Sequence, residues 1–167
     1  MAKSGGESVF KQFLKKVTLI GQPLLTTLYY CCLYHYDLPR NSSASPLSIR
    51  KVCNIGDREF YWMAISALAR HRRYDEIEKG MTSEKLLAAT KIICPLPWNA
   101  FFSLIFKYGA PPKDVLARWL WAVLDLEKRQ KICESTAEPR KIEIETLIAL
   151  KDRQKLTALI SKMTYIQ

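Results

Sequence analysis

Two histidines, five cysteines, an acidic triplet and a basic run are the residues of this 167-residue chain whose types could do chemistry. His35 and His71 fall on apolar helical stripes, where an imidazole reads as a core or edge residue rather than a base or metal ligand. The cysteines stand at 31, 32, 53, 94 and 133, an odd count with no two-residue gap of the kind zinc ribbons and redox motifs need. Adjacent Cys31 and Cys32 cannot easily bridge each other or share one ion. Free buried thiols in a reducing compartment, the cytosol, are the expectation. Asp75, Glu76 and Glu78 read as the solvated face of a short helix rather than as paired carboxylates for acid–base work. Ser42-Ser43 lies in a loop with no base in register. Glycine-rich phosphate loops and the His-Glu-x-x-His zinc pattern are absent from the sequence. These residues argue against an enzyme, and they imply no cofactor and no metal.

The basic run is Arg70-His71-Arg72-Arg73-Tyr74. It belongs to a wider asymmetry, because 26 Lys and Arg face 16 Asp and Glu, and residues 1–73 alone hold 11 basic and 4 acidic residues. Such an excess suits any acidic partner, whether protein, lipid surface or nucleic acid. Nucleic-acid binding also wants exposed aromatics for stacking. Here Trp62, Trp119 and most tyrosines belong to apolar stripes, and Asp75, Glu76 and Glu78 follow the basic run at once, so no nucleic acid is expected. A basic membrane-surface or nucleic-acid-binding helical module is kept as the alternative to a protein-docking one.

Composition excludes disorder, since 49% of residues are hydrophobic and 25% charged. The polar start, residues 1–9, reads as a disordered lead-in or a vector-derived remnant, and residues 10–167 as one domain. Residues 17–36 carry no charge over twenty positions. Gly21-Gln22-Pro23 interrupts that run. A helix from Pro23 to Tyr36 would be about 21 Å long, short of a bilayer.

Helical spacing dominates the rest. Leu24, Leu28, Cys31 and His35 share one face and Leu25, Tyr29, Cys32 and Tyr36 the next, so that helix is buried on two sides. Residues 38–45 are turn formers, and Ser45-Pro46 opens a short helix through Arg50 and Cys53. Asp57 is placed to cap the next helix, on which Phe60, Met63, Ala64, Ala67 and Leu68 form one stripe and Trp62, Ile65 and Ala69 a second. Residues 74–79 predict a short acidic helix, and residues 83–93 another, capped by Ser83. Pro97 and Gly109 bound a helix carrying Phe101, Leu104 and Ile105. Val115, Leu116, Trp119, Leu120, Val123 and Leu124 make the clearest amphipathic stripe. Residues 126–135 form a further helix, ended by Glu138-Pro139. Residues 141–145 alternate like a strand, but Ala149, Leu150 and the want of a partner favour helix. Asp152 caps a final helix with Leu156, Leu159, Ile160 and Met163 on one side. Eight to ten short helices with double apolar faces predict an all-α fold, an irregular α-solenoid of stacked helix hairpins.

Four stretches carry a resemblance: Pro23-Leu24-Leu25-Thr26-Thr27-Leu28-Tyr29-Tyr30, Tyr34-His35-Tyr36, Ile55-Gly56-Asp57-Arg58 leading into Ala64-Ile65-Ser66-Ala67-Leu68-Ala69, and Leu150-Lys151-Asp152-Arg153-Gln154-Lys155-Leu156. From Phe10 to Met163 the chain resembles the C-terminal region of the family of spermatogenesis-defective protein thirty-nine, the B-type paralogue of vacuolar protein sorting subunit sixteen. The resemblance implies the C-terminal part of a longer protein, an α-solenoid scaffold that binds an SM (Sec/Munc-type) protein, the B-type subunit thirty-three. It implies service in late endosome, lysosome and phagosome delivery, in a HOPS-like assembly that reaches SNAREs indirectly. The protein would then be cytoplasmic and peripheral on late endosomes and lysosomes through that complex. Carried over residue by residue, the SM-binding surface falls on Pro46–Ser66, with Arg50, Arg58, Glu59 and Trp62 as the partner-binding residues. Gly56 stands where relatives usually have proline, a change that would loosen the turn before Asp57.

Overall fold

The computed structural model describes residues 21–83, 91–136 and 140–164. The lead-in over residues 1–9, the start of the uncharged run, the interior of the helix expected over 83–93 and the Glu138-Pro139 break lie outside the described residues. Among the described residues the chain is all-α apart from one two-residue ladder. The helices are α1 (Leu24–Tyr34), α2 (Pro46–Val52), α3 (Asp57–Arg70), α4 (Tyr74–Met81), α5 (Trp98–Phe106), α6 (Lys113–Ala122), α7 (Leu126–Thr136), α8 (Arg140–Leu150) and α9 (Arg153–Thr164). The chain divides into two compact units, Met1–Ala67 and Leu68–Gln167, with the division inside α3.

In the first unit the prolines set the helix starts. Pro23 is the N-cap of α1, one residue outside the first turn expected for it, and Pro46 is the first residue of α2 behind Ser45. The core comprises Leu28, Cys32, Leu33, Phe60, Ala64 and Ala67, with Tyr29, Tyr36, Ile49 and Ile55 packed against it. Full burial of a side chain such as Leu28 contributes about 1.5–3 kcal/mol. Double-sided burial of α1 is only partly realised: Leu28, Cys31, Cys32 and Leu33 are buried, while Leu24 and Leu25 are exposed.

In the second unit Tyr74, Trp98, Phe101, Phe102 and Trp119 interlock. Trp119 meets Phe101 edge-on at 5.0 Å and Tyr74 at 6.0 Å, and Trp98 stacks on Phe102 at 5.8 Å. Edge-to-face geometry sets the positive rim of one ring against the negative face of the next. Beyond this knot α7 packs on α8 and α8 on α9. Gly109 closes α5 at φ +110°, a conformation a side chain resists, and Asp152 caps α9 by accepting the Lys155 N–H at 3.0 Å. The ambiguous segment 141–145 is helical within α8.

Three expectations change. The helix over residues 83–93 is not formed at its ends: Thr82–Ser83 (β1) and Lys91–Ile92 (β2) pair antiparallel, Thr82 opposite Ile92. A β-branched residue and the break before Cys94-Pro95 suit an extended ladder better than a helical turn. Leu124 is not part of the α6 stripe, because α6 stops at Ala122 and leaves it 73% exposed. Asp57 does not cap α3; it is the first residue of that helix, and Gly56 holds the position before it.

Among the described residues, three helices end on left-handed residues that are not glycine: Asn54, Arg72 and Lys151, with φ of 48°, 56° and 57°. Each closes the same paired bonds. Ile55 N–H donates to the Arg50 carbonyl and Asn54 N–H to that of Lys51; Arg73 bonds back to Leu68 and Arg72 to Ala69; Asp152 bonds back to Leu147 and Lys151 to Ile148. This is the Schellman closure, which satisfies the last carbonyls of a helix.

Candidate partner-binding surface

The corner between α2 and α3 holds all four residues singled out from the sequence. Arg50 lies in the last turn of α2, where a cation favours the helix dipole. Its guanidinium donates to the Asp57 carboxylate and lies over two rings, 4.9 Å from the Phe60 centroid and 5.9 Å from that of Tyr61. Its backbone carbonyl also accepts the Ile55 N–H. Arg50 therefore ties the end of α2 to the first turn of α3. Asp57 serves that tie and also favours the positive N-terminal end of α3.

Glu59, three residues after Gly56, turns its carboxylate back over the helix start. A Cβ built on Gly56 would lie 2.5 Å from Glu59 Oε2, so the glycine leaves room for that carboxylate.

Trp62 lies four residues after Arg58 and three after Glu59, so each charge neighbours it on the α3 surface. Arg58 and Glu59 are exposed, and Trp62 is 36% exposed, although its stripe partners Ile65 and Ala69 are buried. The structure thus leaves Arg58, Glu59 and Trp62 exposed as neighbours and turns the Arg50 guanidinium toward Asp57, Phe60 and Tyr61. Leu47 at 39% and Val52 at 83% exposure, with exposed Lys51, extend the apolar and basic character along α2. The sequence already places Lys51 among the cations that suit an acidic partner, whereas the exposure of Leu47 and Val52 was not foreseen. Their signal is local: an apolar residue ending a seven-residue helix just before a left-handed turn has no next turn to bury it.

The other chemistry-bearing residues are placed differently from one another. His71 is exposed in the turn after α3 rather than held on its stripe, and His35 caps α1. Glu78 does more than face solvent: Arg118 of α6 donates to both its oxygens at 3.0 Å, and to Asp114 at 3.1 Å. All five cysteines are free, with Cys31, Cys32 and Cys133 buried and Cys53 exposed. Burial pushes the Cys32 thiol up to about 12, with Cys31 beside it adding to the shift, and pushes Cys133 up to about 11. Among the described residues no three His, Cys, Asp or Glu gather to hold a metal ion, and no helix is long and apolar enough to cross a membrane.

Trp62 thus stands exposed beside two charges on a corner that Arg50 ties together. Curated proteins compared along their sequences match nearly the entire chain. It is similar to spermatogenesis-defective protein 39. The Rattus norvegicus spermatogenesis-defective protein 39 homologue is 28% identical over 163 residues, 98% of this chain and 35% of its own length. The Danio rerio spermatogenesis-defective protein 39 homologue is 29% identical over 161 residues, covering 96% and 33%. The Caenorhabditis elegans spermatogenesis-defective protein 39 is 28% identical over 164 residues, covering 89% and 31%. The chain spans about a third of the length of these spermatogenesis-defective protein 39 relatives. No family model and no solved structure matches it.

Proposed function

We infer that this chain is a non-enzymatic docking module that binds another protein through the α2–α3 corner. The observation that carries the reading is Trp62, 36% exposed with Arg58 and Glu59 as its neighbours on α3. Tryptophan and arginine recur as binding hot spots, tryptophan because it buries much area with few rotatable bonds, and a braced corner lowers the ordering cost further. The likeness to spermatogenesis-defective protein 39 supports an SM-family partner, the B-type vacuolar protein sorting subunit thirty-three. It supports a role in endosome–lysosome and phagosome delivery, with SNAREs reached indirectly and membranes peripherally through the complex.

Size-exclusion chromatography and titration of the purified chain with that SM protein test the reading. Arg58→Glu and Trp62→Ala each weaken binding by tenfold or more while helix content by circular dichroism stays unchanged. Arg50→Glu also weakens it, but with a lowered melting temperature, because that side chain braces the corner. Undiminished binding by both Arg58→Glu and Trp62→Ala would remove this surface from the account. Flotation on acidic liposomes in the absence of any protein partner would favour the membrane-surface alternative instead.

A further inference from the structure

Arg129 of α7 is a buried cation held at the end of α6 by carbonyls alone. It is 7% exposed, and its Nε and Nη2 donate to the Val123 and Trp121 carbonyls. Its third nitrogen, Nη1, takes no part in these bonds. Among the described residues the polar side-chain atoms sealed from solvent without a partner are Tyr74 Oη, Trp119 Nε1 and Gln130 Oε1. Nη1 is not one of them, so it meets solvent. The acids nearby are engaged elsewhere. Asp125 accepts the Lys128 N–H and ammonium, each at 3.0 Å, while Asp114 and Glu78 hold Arg118. Glu127 stands two residues before Arg129, a spacing that does not bring side chains together on a helix. A buried charge without an opposite one is costly, and carbonyl dipoles offset only part of that cost. Around this guanidinium the surface is apolar. The Trp121 ring, 4.7 Å away, is 45% exposed, and Leu124, the residue after the Val123 carbonyl, is 73% exposed.

We propose that the α6–α7 corner docks a segment of another protein in which a carboxylate stands beside a bulky apolar side chain. The carboxylate bonds Arg129 Nη1, and the apolar side chain covers Trp121 and Leu124. Charge complementarity sets the sign of the occupant, since a neutral or basic segment leaves the buried guanidinium without its counter-charge. The cation under the ring fixes Trp121 before anything arrives, which lowers the ordering cost of using it as an anchor. A bilayer needs a broad apolar face, whereas exposed Asp125 and Glu127 adjoin this corner and oppose an anionic surface. The inference stands on α6 and α7 alone and is independent of the α2–α3 corner.

The test is fluorescence anisotropy of the 167-residue chain with a labelled peptide of glycines and serines that carries a single aspartate between two leucines. A matched peptide with asparagine for the aspartate keeps the shape and removes the charge. The aspartate peptide binds about tenfold tighter, the worth of one charge-assisted bond. Trp121→Ala and Leu124→Ser each cost about fivefold or more with helix content intact, while Arg58→Glu leaves the affinity unchanged. Arg129→Lys, whose single ammonium is taken up by the carbonyls, narrows the difference between the two peptides. Equal binding of the two peptides, absence of binding included, overturns the proposal. So does a preference for aspartate that Arg129→Lys leaves whole, or undiminished affinity in both Trp121→Ala and Leu124→Ser. A concentration-dependent dimer, or co-sedimentation with anionic vesicles, that Trp121→Ala abolishes overturns it as well.

Discussion

The guanidinium of Arg129 lies 4.7 Å from the centroid of the Trp121 ring and bonds to the backbone at the end of the helix that carries it. Arg129 Nε and Nη2 donate to the Val123 carbonyl at 3.0 and 2.7 Å, and Nη2 reaches the Trp121 carbonyl at 3.4 Å. The residue is buried, and burial lowers its pKa, yet an arginine stays charged. Its hydrogen-bond partners are carbonyls at the negative end of α6 rather than a carboxylate. One side chain thus terminates α6 and orients a tryptophan that remains 45% exposed.

Arg129→Met removes those donors and strands the last carbonyls of α6. A loss of about 2–3 kcal/mol in unfolding free energy follows, read by urea denaturation. Arg129→Lys recovers part of it, because a single ammonium cannot span two carbonyls and stack on a ring. Equal stability of the methionine variant and the parent would show that these bonds add nothing.

The left-handed helix ends give a graded series. Lys151→Gly and Arg72→Gly remove a conformational cost of about 1–2 kcal/mol per residue and add back part of it as unfolded-chain entropy. A net gain of about 0.5–1 kcal/mol is expected for each. Asn54→Gly changes little, since asparagine tolerates this region. Thermal unfolding of the three variants checks the order, and a destabilised Lys151→Gly would contradict it.

Thiol alkylation separates the cysteines. Cys53 is exposed and reacts first with iodoacetamide at pH 8, followed by mass spectrometry. Cys32, Cys94 and Cys133, raised to about 12, 11 and 11 by burial, stay unmodified on that timescale. Modification of Cys32 as fast as Cys53 would place α1 on the surface.

Acid weakens the fold through three carboxylates. A hydrogen bond from Arg118 lowers the Asp114 pKa, bonds from Lys128 lower that of Asp125, and one from Lys155 lowers that of Glu134. Each holds its proton less readily folded than unfolded. Its stabilisation is complete above the ordinary values, 3.8 for Asp and 4.5 for Glu, and fades as pH falls through the depressed folded values. Glu134→Gln therefore costs a few tenths of a kcal/mol at neutral pH, the exposed Lys155 pair being screened, and nothing once pH is well below 4. Melting temperatures of parent and variant that stay equally separated from pH 7 to pH 2.5 would rule this out.

Much of the fold was legible before any coordinates. Pro46, Gly109 and Asp152 mark helix ends by their own chemistry: a locked φ, a free positive φ and a capping carboxylate. The stripe Val115, Leu116, Trp119 and Leu120 repeats at helical spacing, and all four are buried. The candidate site was legible in part. Arg58 and Glu59 neighbour Trp62 by spacing alone, whereas the exposure of Trp62 and the bracing role of Arg50 were hidden. Trp62 reads as part of the buried second stripe because periodicity tells which residues align, not which aligned face meets a neighbour.

Taken alone, the order of residues settled what depends on neighbours within a few positions: helix periodicity, caps, breaks and the basic excess. Packing decided the rest. Whether Glu78 faces water or Arg118 forty residues on, whether a buried Arg129 finds carbonyls, and whether Thr82–Ser83 and Lys91–Ile92 pair across a ladder depend on groups brought close only by folding. Such contacts leave no local signature, since their energy depends on distance in space and not on distance along the chain.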